Sequence, residues 1–505
     1  MVSLIGAGPG DPDLLTIKAL RRLETADIVF YDRLANTELL QYCKDNAEII
    51  FVGKAAAHHY VKQNDIINML INSAKSGKNV VRLKGGDPLI FGRGSEEAIA
   101  LRHADIEFEF VPGISAGIAA TAYAGIPLTH RNLVTKCIFI TAHEDPKKIE
   151  TQNDWYEIAQ LKNSTIVIYM GVGNAPQISS ILIREGMDKY IPVAIIENGT
   201  HTYQRTFVTD LENIEKTINE NKVQPPALFV ISPTVDLKSE LDWFETKPLF
   251  GVRIAATRAA AQINSLCTEL RELGADIIPF SVIETHLSKP KQSMRKILSA
   301  KKYDWLLFTS ENGVRYFFEL LARENLDARA IANMKIAAIG KGTAHRLKEY
   351  KINADFVPSE YTSEAMLREF PKDKDIASLN FLRVKGNFLN DYLVDGLEKL
   401  NANVDTVEVY KINKSKPDEQ TISRIIEDGI DAITFTSQST VNNFLTLFGM
   451  EEAKHIFERA IPFAIGPVTA QALEQHGIKN YRIAKIHTVA GIIEEIREYF
   501  TEKNN

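Results

Sequence analysis

The stretch VSLIGAGPGDPDLLTIKAL, residues 2–20, sets the fold. Its first five residues form an apolar, β-branched run of the kind that is buried on both faces of a sheet. Gly6, Gly8 and Gly10 follow, spaced for tight turns and for close approach by another backbone, and Pro9 stiffens the loop between them. The amphipathic pattern of LLTIKALRRLETA then predicts a helix. Strand, glycine loop and helix open an α/β sheet, and later runs repeat the theme. ADIVFYD, NVVRLKGG, STIVIYMG, IPVAIIENG and PALFVIS read as buried strands, with NDIINMLINSAKSG a helix among them. The expectation is a largely parallel sheet covered by helices. The first loop is not a dinucleotide fingerprint, because GxGxxG requires glycine where Asp11 stands.

At roughly 100–200 residues per domain, 505 residues predict about three or four folding units. A composition of 45% hydrophobic and 25% charged residues excludes disordered, collagen-like and coiled-coil proteins. The net charge of -6 argues against a nucleic-acid binder, but not against a small anion held by local cations. Cys43, Cys137 and Cys267 are far apart and form no CxxC pair, so neither a disulfide framework nor a metal site is expected. The N-terminus has no secretory pattern, and no apolar run approaches the ~20 residues that span a bilayer. A cytoplasmic protein with no membrane partner is the expectation.

A break falls at DLKSELDWFETKP, residues 236–248, after which VRIAATR starts a new strand. The predicted domains are 1–240 and 248–505. The second domain repeats itself: FTSENGVRYF at Phe308 recurs as FTSQSTVNNF at Phe435, and AIGKGTA at Ala338 as AIGPVTA at Ala464. VRIAATR at 252–258 aligns with FLRVK at 381–385. An offset of this length indicates a duplicated domain rather than a solenoid, hence two similar lobes with a cleft between them.

Chemistry-bearing residues cluster at strand ends. VVRLKGGDPLIFGRGSEE ends its strand in Gly85–Gly86 and Asp87–Pro88, with a second glycine pair around Arg93. An ordinary strand-to-helix turn explains one such loop but not two at successive strand ends. Asp32 closes ADIVFYD and is equally a helix cap or a working carboxylate. Arg33, Lys84, Arg93, His130 and Arg131 lie near these loops; each alone reads as surface charge, and together they are candidate partners for a polyanion. His58–His59 reads as surface. In the second half Ser310, Asn312, Thr436, Ser437 and Ser439 stand where strands open into helices, positions that cap helices and also bind anions.

The glycine loops, with VPGIS, AYAGIPLTHR and YMGV, resemble the tetrapyrrole methylase family from about Val2 to Lys238, and within it the uroporphyrinogen-III C-methyltransferases. The resemblance implies S-adenosylmethionine as cofactor, contacted by Pro9, Gly85, Gly86, Asp87, Ile90, Ser115, Ala116, Met170 and Gly199. It implies Asp32 as proton acceptor, Lys54 as proton donor, and a homodimer through this domain. Methyl transfer from a sulfonium to an electron-rich pyrrole carbon needs no metal. Uroporphyrinogen is a polycarboxylate, for which Arg33 and Arg131 are the expected partners. One departure is SPTV at 232–235, where the family has GEVV.

The second half, from about Pro248 to Phe500, resembles uroporphyrinogen-III synthase on VRIAATR, YDWLLFTSENGVRYF, ADFVPSEYTSE, VEVYKI and the two AIG segments. The resemblance implies two lobes joined by two extended strands, roughly 248–282 with 411–505, and 283–410. Hydroxymethylbilane would bind between them, largely through main-chain amides. Tyr410 is implied to contribute to catalysis; Arg258, Ser310, Asn312, Thr436 and Ser437 are expected to bind substrate, and Lys385 stands at the position equivalent to Arg258. The fold class is therefore α/β, a two-lobed methylase followed by a duplicated two-lobed synthase with a central cleft. Two readings compete: a methylase with a non-catalytic tetrapyrrole-binding module, and a two-lobed solute-binding protein, which the missing secretory pattern opposes.

Overall fold

The computed structural model describes residues 1–504, apart from 45, 54–61, 143–152, 258–259, 281–282, 301, 361, 372–375, 388–391, 415–416 and 418. Two compact units result: Met1–Val252 with Leu270–Asp276 and Tyr499–Asn505, and Arg253–Glu269 with Ile277–Glu498. Each contains two five-stranded sheets among the described residues.

In the first sheet the order is Glu48–Phe51, Ile28–Tyr31, Val80–Lys84, Val2–Gly6, Phe108–Val111, and each strand runs parallel to its neighbours. Strand alternation feeds two cores. Val2, Leu4, Ile28, Phe30 and Val80 pack on one face, and Ile5, Val29, Val81 and Leu83 on the other. The chain leaves Val2–Gly6 toward Ile28–Tyr31 and leaves Val80–Lys84 toward Phe108–Val111, in opposite directions. The carboxyl ends of these two neighbouring strands are thus a topological switch point, where open α/β sheets bind ligands. Both glycine loops emerge there.

The second sheet, Lys136–Thr141, Ser164–Tyr169, Ala227–Ile231, Pro192–Glu197, Arg205–Asp210, corrects the expectation of parallel strands. Only its first pair is parallel; the other three are antiparallel. A strand buried on both faces reads as a continuous apolar run whatever the direction of its neighbours, so the pattern of IPVAIIE and PALFVIS is silent on this point. The SPTV departure supplies a buried hydroxyl group of three: Ser232 Oγ is 2.8 Å from both Thr165 Oγ1 and Thr234 Oγ1. The segment read from sequence as a break is folded. Lys238–Leu241 is helical, and Phe244 and Leu249 are buried.

In the second unit the order Asp276–Pro279, Arg253–Thr257, Ala432–Phe435, Ile461–Ala464, Arg482–Ile483 forms one sheet. Ile283–Leu287, Asn403–Lys414, Asn380–Gly386, Trp305–Phe308, Lys335–Ala338 forms the other. The sequence repeats are exchanged between them. The VRIAATR strand lies parallel to the second FTS strand (Ile254 beside Ala432), and the FLRVK strand lies parallel to the first (Trp305 beside Phe381). Each sheet therefore takes its opening strands from one repeat and the next strands from the other. Asn403–Lys414 runs past its parallel neighbour Asn380–Gly386 and pairs antiparallel with Ile283–Leu287. Beyond Tyr410, Ile412 packs against both cores of the unit.

Candidate active sites

In the first unit three loop backbones meet. Gly86 N–H donates to Gly8 O at 2.7 Å, with Gly86 at φ +66 and Gly8 at φ +79, conformations open to glycine at no steric cost. A Cβ on Gly6 would lie 2.5 Å from Gly86 O and from Gly113 N, and one on Gly113 would lie 2.3 Å from Gly86 O. The seam between these loops is bare backbone. Asp87 ties it together, accepting Leu89 N–H at 2.8 Å and Gly113 N–H at 3.1 Å.

The remaining residues expected to hold the cofactor gather around this seam. Pro9 is half-buried beside Gly10, whose carbonyl accepts Asn36 Nδ2 at 2.7 Å. A Cβ on Gly85 would meet Leu34 Cβ at 2.5 Å, which brings the Asp32 turn alongside. Ser115 is buried and its hydroxyl lies 2.7 Å from Tyr169 Oη, which also accepts Gly117 N–H at 2.7 Å. Ala116 starts the helix Ala116–Tyr123. Met170 follows Tyr169 at φ +56 with its side chain exposed, and Ile90 is exposed beside Phe91, whose ring centroid is 4.9 Å from that of Tyr169. A Cβ on Gly199 would come 2.3 Å from Ala120 Cβ. Phe91, Met170, Asn198 and Thr200 all hold positive φ, at +54, +56, +51 and +71. Non-glycine residues of this kind cluster where a surrounding structure holds strain for function.

Asp32 sits at the turn after Ile28–Tyr31. Its Oδ1 accepts Leu34 N–H at 3.2 Å, and its Oδ2 accepts Arg82 Nη2 at 3.2 Å. Sequence reasoning missed what lies beneath. Arg82 is buried, and Glu97, fully buried, accepts from Arg82 Nε at 3.4 Å, Lys84 Nζ at 3.1 Å and Gln63 Nε2 at 2.9 Å. Lys84 is therefore not open to a substrate carboxylate, as its neighbourhood in sequence suggested; burial, then Arg82, push its ammonium pKa down, against Glu97 and Asp32. Arg93 stands at the N-terminal boundary of Gly94–His103 at φ +58, makes no side-chain cap, and pairs with Glu96 at 2.7 Å. Arg33 and Arg131 are exposed, and His130 is half-buried. Lys54 and His58–His59 lie outside the described residues.

In the second unit Ser310 caps Glu311–Arg323, accepting Gly313 N–H at 3.0 Å, and its Oγ is 3.1 Å from Tyr410 Oη. Asn312 lies in the first turn of that helix. Tyr410 is buried, stacks on Tyr316 with centroids 5.6 Å apart, and pairs in register with Leu287 and Gly386 beside a bulge. Burial pushes its phenol pKa up, against Ser310 and the charge of Arg383. Burial also holds Arg383, on the neighbouring strand, down at about 10. On the other sheet Ser437 caps Gln438–Phe448 through Thr440 N–H at 3.3 Å, and Thr436 Oγ1 reaches Thr257 O at 3.4 Å. The repeated sequence thus yields a repeated cap. Arg258 lies outside the described residues; Lys385 is half-buried.

Comparison with known proteins accounts for both halves. Residues 1–215 match the family model of tetrapyrrole (corrin/porphyrin) methylases, and residues 264–494 that of uroporphyrinogen-III synthase HemD. A "porphyrin biosynthesis protein HemD" of Ruminiclostridium josui is 34% identical over 499 residues, covering 98% of this chain and 97% of the relative. A uroporphyrinogen-III C-methyltransferase of Bacillus subtilis (strain 168) is 45% identical over 246 residues, 49% of this chain and 95% of the relative. The solved uroporphyrin-III C-methyltransferase of Thermus thermophilus, complexed with S-adenosyl homocysteine, is 35% identical with a TM-score of 0.40, covering 47% of this chain and 99% of that one. The chain belongs to the tetrapyrrole methylase family through its first half and to the uroporphyrinogen-III synthase family through its second.

Proposed function

We propose that the chain is a bifunctional enzyme of tetrapyrrole synthesis. The second half, proposed as 248–505, cyclises hydroxymethylbilane to uroporphyrinogen III with inversion of the last ring. The first half, proposed as 1–240, methylates that product at carbons 2 and 7 with S-adenosylmethionine, giving precorrin-2. The product of one half is the substrate of the other, as suits a relative aligned over almost the whole chain.

The observation that carries the methylase reading is the bare seam of Gly6, Gly86 and Gly113 at the switch point, ringed by strained backbone. Loops packed backbone against backbone, with no Cβ between them, form a rigid floor beside which a nucleoside is proposed to lie. Pro9, Gly85, Gly86, Asp87, Ile90, Ser115, Ala116, Met170 and Gly199 are the residues suited to hold it. When bound, S-adenosylmethionine supplies an electrophilic methyl on a sulfonium. Asp32 is the proposed acceptor of the proton that leaves the methylated ring, with Arg82 orienting its carboxylate. Lys54 is the proposed proton donor. Arg33 and Arg131, both exposed, are proposed to pair with substrate carboxylates. Alignment and exclusion of water do most of the remaining work, to which positioning can contribute ~7–11 kcal/mol.

In the second half a shaped site suits the chemistry. The linear tetrapyrrole loses its hydroxyl as water and becomes an electrophilic azafulvene. The last ring attacks that centre through the α-carbon that already carries the chain. The spiro intermediate then breaks this older bond, re-forms it at the other α-carbon and loses a proton, which inverts the ring. Tyr410, neutral and hydrogen-bonded to Ser310, is the proposed contributor at the leaving hydroxyl. Arg258, Ser310, Asn312, Thr436 and Ser437 are proposed to hold carboxylates through side chains and helix-end amides.

A homodimer through the first half is proposed, with light scattering as its test. No helix among the described residues is long and apolar enough to cross a membrane, and the cytoplasm is the proposed place of action. The deciding experiment incubates the chain with hydroxymethylbilane, with and without S-adenosylmethionine, and separates the products. Type I uroporphyrinogen alone would overturn the synthase reading and leave a non-catalytic module. No gain of two methyl groups would overturn the methylase reading.

A further inference from the structure

The loops of the methylase half are clasped from a position that no glycine motif marks. Thr200 is buried at φ +71, which a β-branched residue adopts only under constraint. Its N–H donates to Gln204 Oε1 at 2.8 Å, and its Oγ1 accepts Asp11 N–H at 3.0 Å. One threonine therefore joins the segment just after Pro9 to the segment that contains Gly199. Gln204, also buried, donates through Nε2 to Glu245 Oε1 at 2.9 Å. The same oxygen accepts Thr206 Oγ1 at 2.6 Å, and Glu245 Oε2 accepts Lys238 Nζ at 3.0 Å.

A second set of contacts runs in parallel. Tyr123 Oη donates to Asp11 Oδ2 at 2.6 Å, and its ring lies 5.1 Å from Trp243 and 4.6 Å from Phe244. Trp243 Nε1 donates to Ala122 O at 2.9 Å. Tyr123 ends the helix that Ala116 begins. Residues 243–245 thus grip the far end of that helix and, through two relays, the loop after Pro9. They lie beyond residues 1–215, which the methylase family model matches.

We propose that Glu245 is a positioning residue for methyl-donor binding, acting through Gln204 and Thr200 on the backbone of Asp11 and Gly199. The proposal rests on the reading that these loops take S-adenosylmethionine. Glu245 itself touches no reacting group. Without its carboxylate the buried Gln204 amide loses its nearer acceptor and keeps only the 3.4 Å contact with Thr206 Oγ1, so it turns, and Thr200 N–H loses the partner that holds it at positive φ. The loops then hold the donor less well, while Asp32 and the methyl-accepting side stay as they were.

The test uses the full-length chain with E245A, E245Q and Q204M. S-adenosylhomocysteine is the titration probe, and KM for S-adenosylmethionine is separated from kcat for methylation. E245A and Q204M are expected to weaken probe binding and raise KM about tenfold, with kcat within about twofold of the parent. E245Q keeps an oxygen toward Gln204 and Thr206 and is expected to stay within about threefold. Cyclisation by the second half and the melting curve report folding, and Q204M carries the test if E245A melts early. Parent-like binding in both E245A and Q204M overturns the proposal, as does a fall in kcat at constant KM. So does an equal loss in E245Q and E245A. A parent chain that binds no probe removes the donor-site reading, and this proposal with it, a result distinct from any variant effect.

Discussion

Arg82 donates to Asp32 at 3.2 Å from beneath the first sheet's switch point, with only 3% of its surface exposed. A carboxylate at the mouth of the site is thereby connected to a buried group that includes Glu97, Lys84 and Gln63. Two cations and two carboxylates balance in charge, so the group tolerates burial only while it is complete.

That balance predicts different outcomes for its members. Arg82→Met leaves Glu97 facing Lys84 and Gln63 alone, and breaking a buried pair of this kind costs about 3–5 kcal/mol of stability. Asp32→Asn keeps the Arg82–Glu97 contact and costs less, about 1–3 kcal/mol, yet it removes the proposed proton acceptor and lowers methylation ~10²–10⁴-fold. Thermal melts read the first effect and methyl incorporation the second. Cyclisation by the second half is expected to survive Asp32→Asn unchanged.

Tyr169→Phe isolates a hydroxyl that joins a strand end of the second sheet to the Ser115–Gly117 segment after the first sheet. It takes Gly117 N–H and reaches Ser115, both at 2.7 Å, and burial pushes its pKa up, against those two contacts. Phenylalanine retains the ring contact with Phe91 but leaves two buried groups without their partner, at about 1–3 kcal/mol. Weaker binding of S-adenosylhomocysteine, measured by calorimetry, is the expected result.

How far the sequence foretold these sites depends on the range over which each interaction is decided. The caps at Ser310 and Ser437 are legible because a strand that opens into a helix selects a capping hydroxyl locally. Exchange of strands between the repeats is not, because Ile254 finds Ala432 across the fold while any apolar strand in either repeat has the same local pattern. The glycine loops are legible one by one, but the contact of Gly6, Gly86 and Gly113 exists only in three dimensions. Arg82 and Lys84 alternate along VVRLK as surface cations would, and Glu97 looks like an ordinary acidic residue in a helix's first turn. Two cations spaced i and i+2 in an otherwise buried strand were the available signal for a buried carboxylate.

Acid sensitivity of the first unit is expected to centre on Glu109. The Arg22 guanidinium, with Lys18 and Ser3, holds its carboxyl at about 2, below the ordinary 4.5, against the opposing effect of burial. A carboxylate depressed in the folded state contributes its stability fully above 4.5 and loses it as pH falls toward about 2. Glu109→Gln is therefore expected to lower the melting temperature at pH 7 and to flatten its decline between those two values. Parallel melting-versus-pH curves for parent and variant would contradict this.

In the second unit Tyr410→Phe removes the 3.1 Å contact with Ser310 while leaving the stack on Tyr316. Stability should change little, since Ser310 keeps its cap to Gly313 N–H. Cyclisation should slow, and the share of type I uroporphyrinogen formed without enzyme control should rise. Ser310→Ala is expected to combine that loss with about 1 kcal/mol from the missing cap. Product ratios by chromatography, set beside melting curves, separate the two contributions.

Gly113→Ala tests the bare seam most directly. Its added Cβ would lie 2.3 Å from Gly86 O and 2.7 Å from both Gly6 C and Gly6 Cα, all of them backbone atoms with no flexible side chain able to yield. The loops must part, and with them the Asp87 contact to Gly113 N–H that closes the seam. Gly77→Ala is the matched control, because nothing lies within 4 Å of a Cβ there, although its φ of +83 carries the usual strain of a left-handed residue. Gly113→Ala is expected to abolish methylation and binding of S-adenosylhomocysteine while hydroxymethylbilane is still cyclised. Gly77→Ala is expected to cost about 1 kcal/mol of stability and to leave both activities in place. Retained methylation in Gly113→Ala would show that the seam does not hold the donor, since no rearrangement admits the methyl without moving backbone.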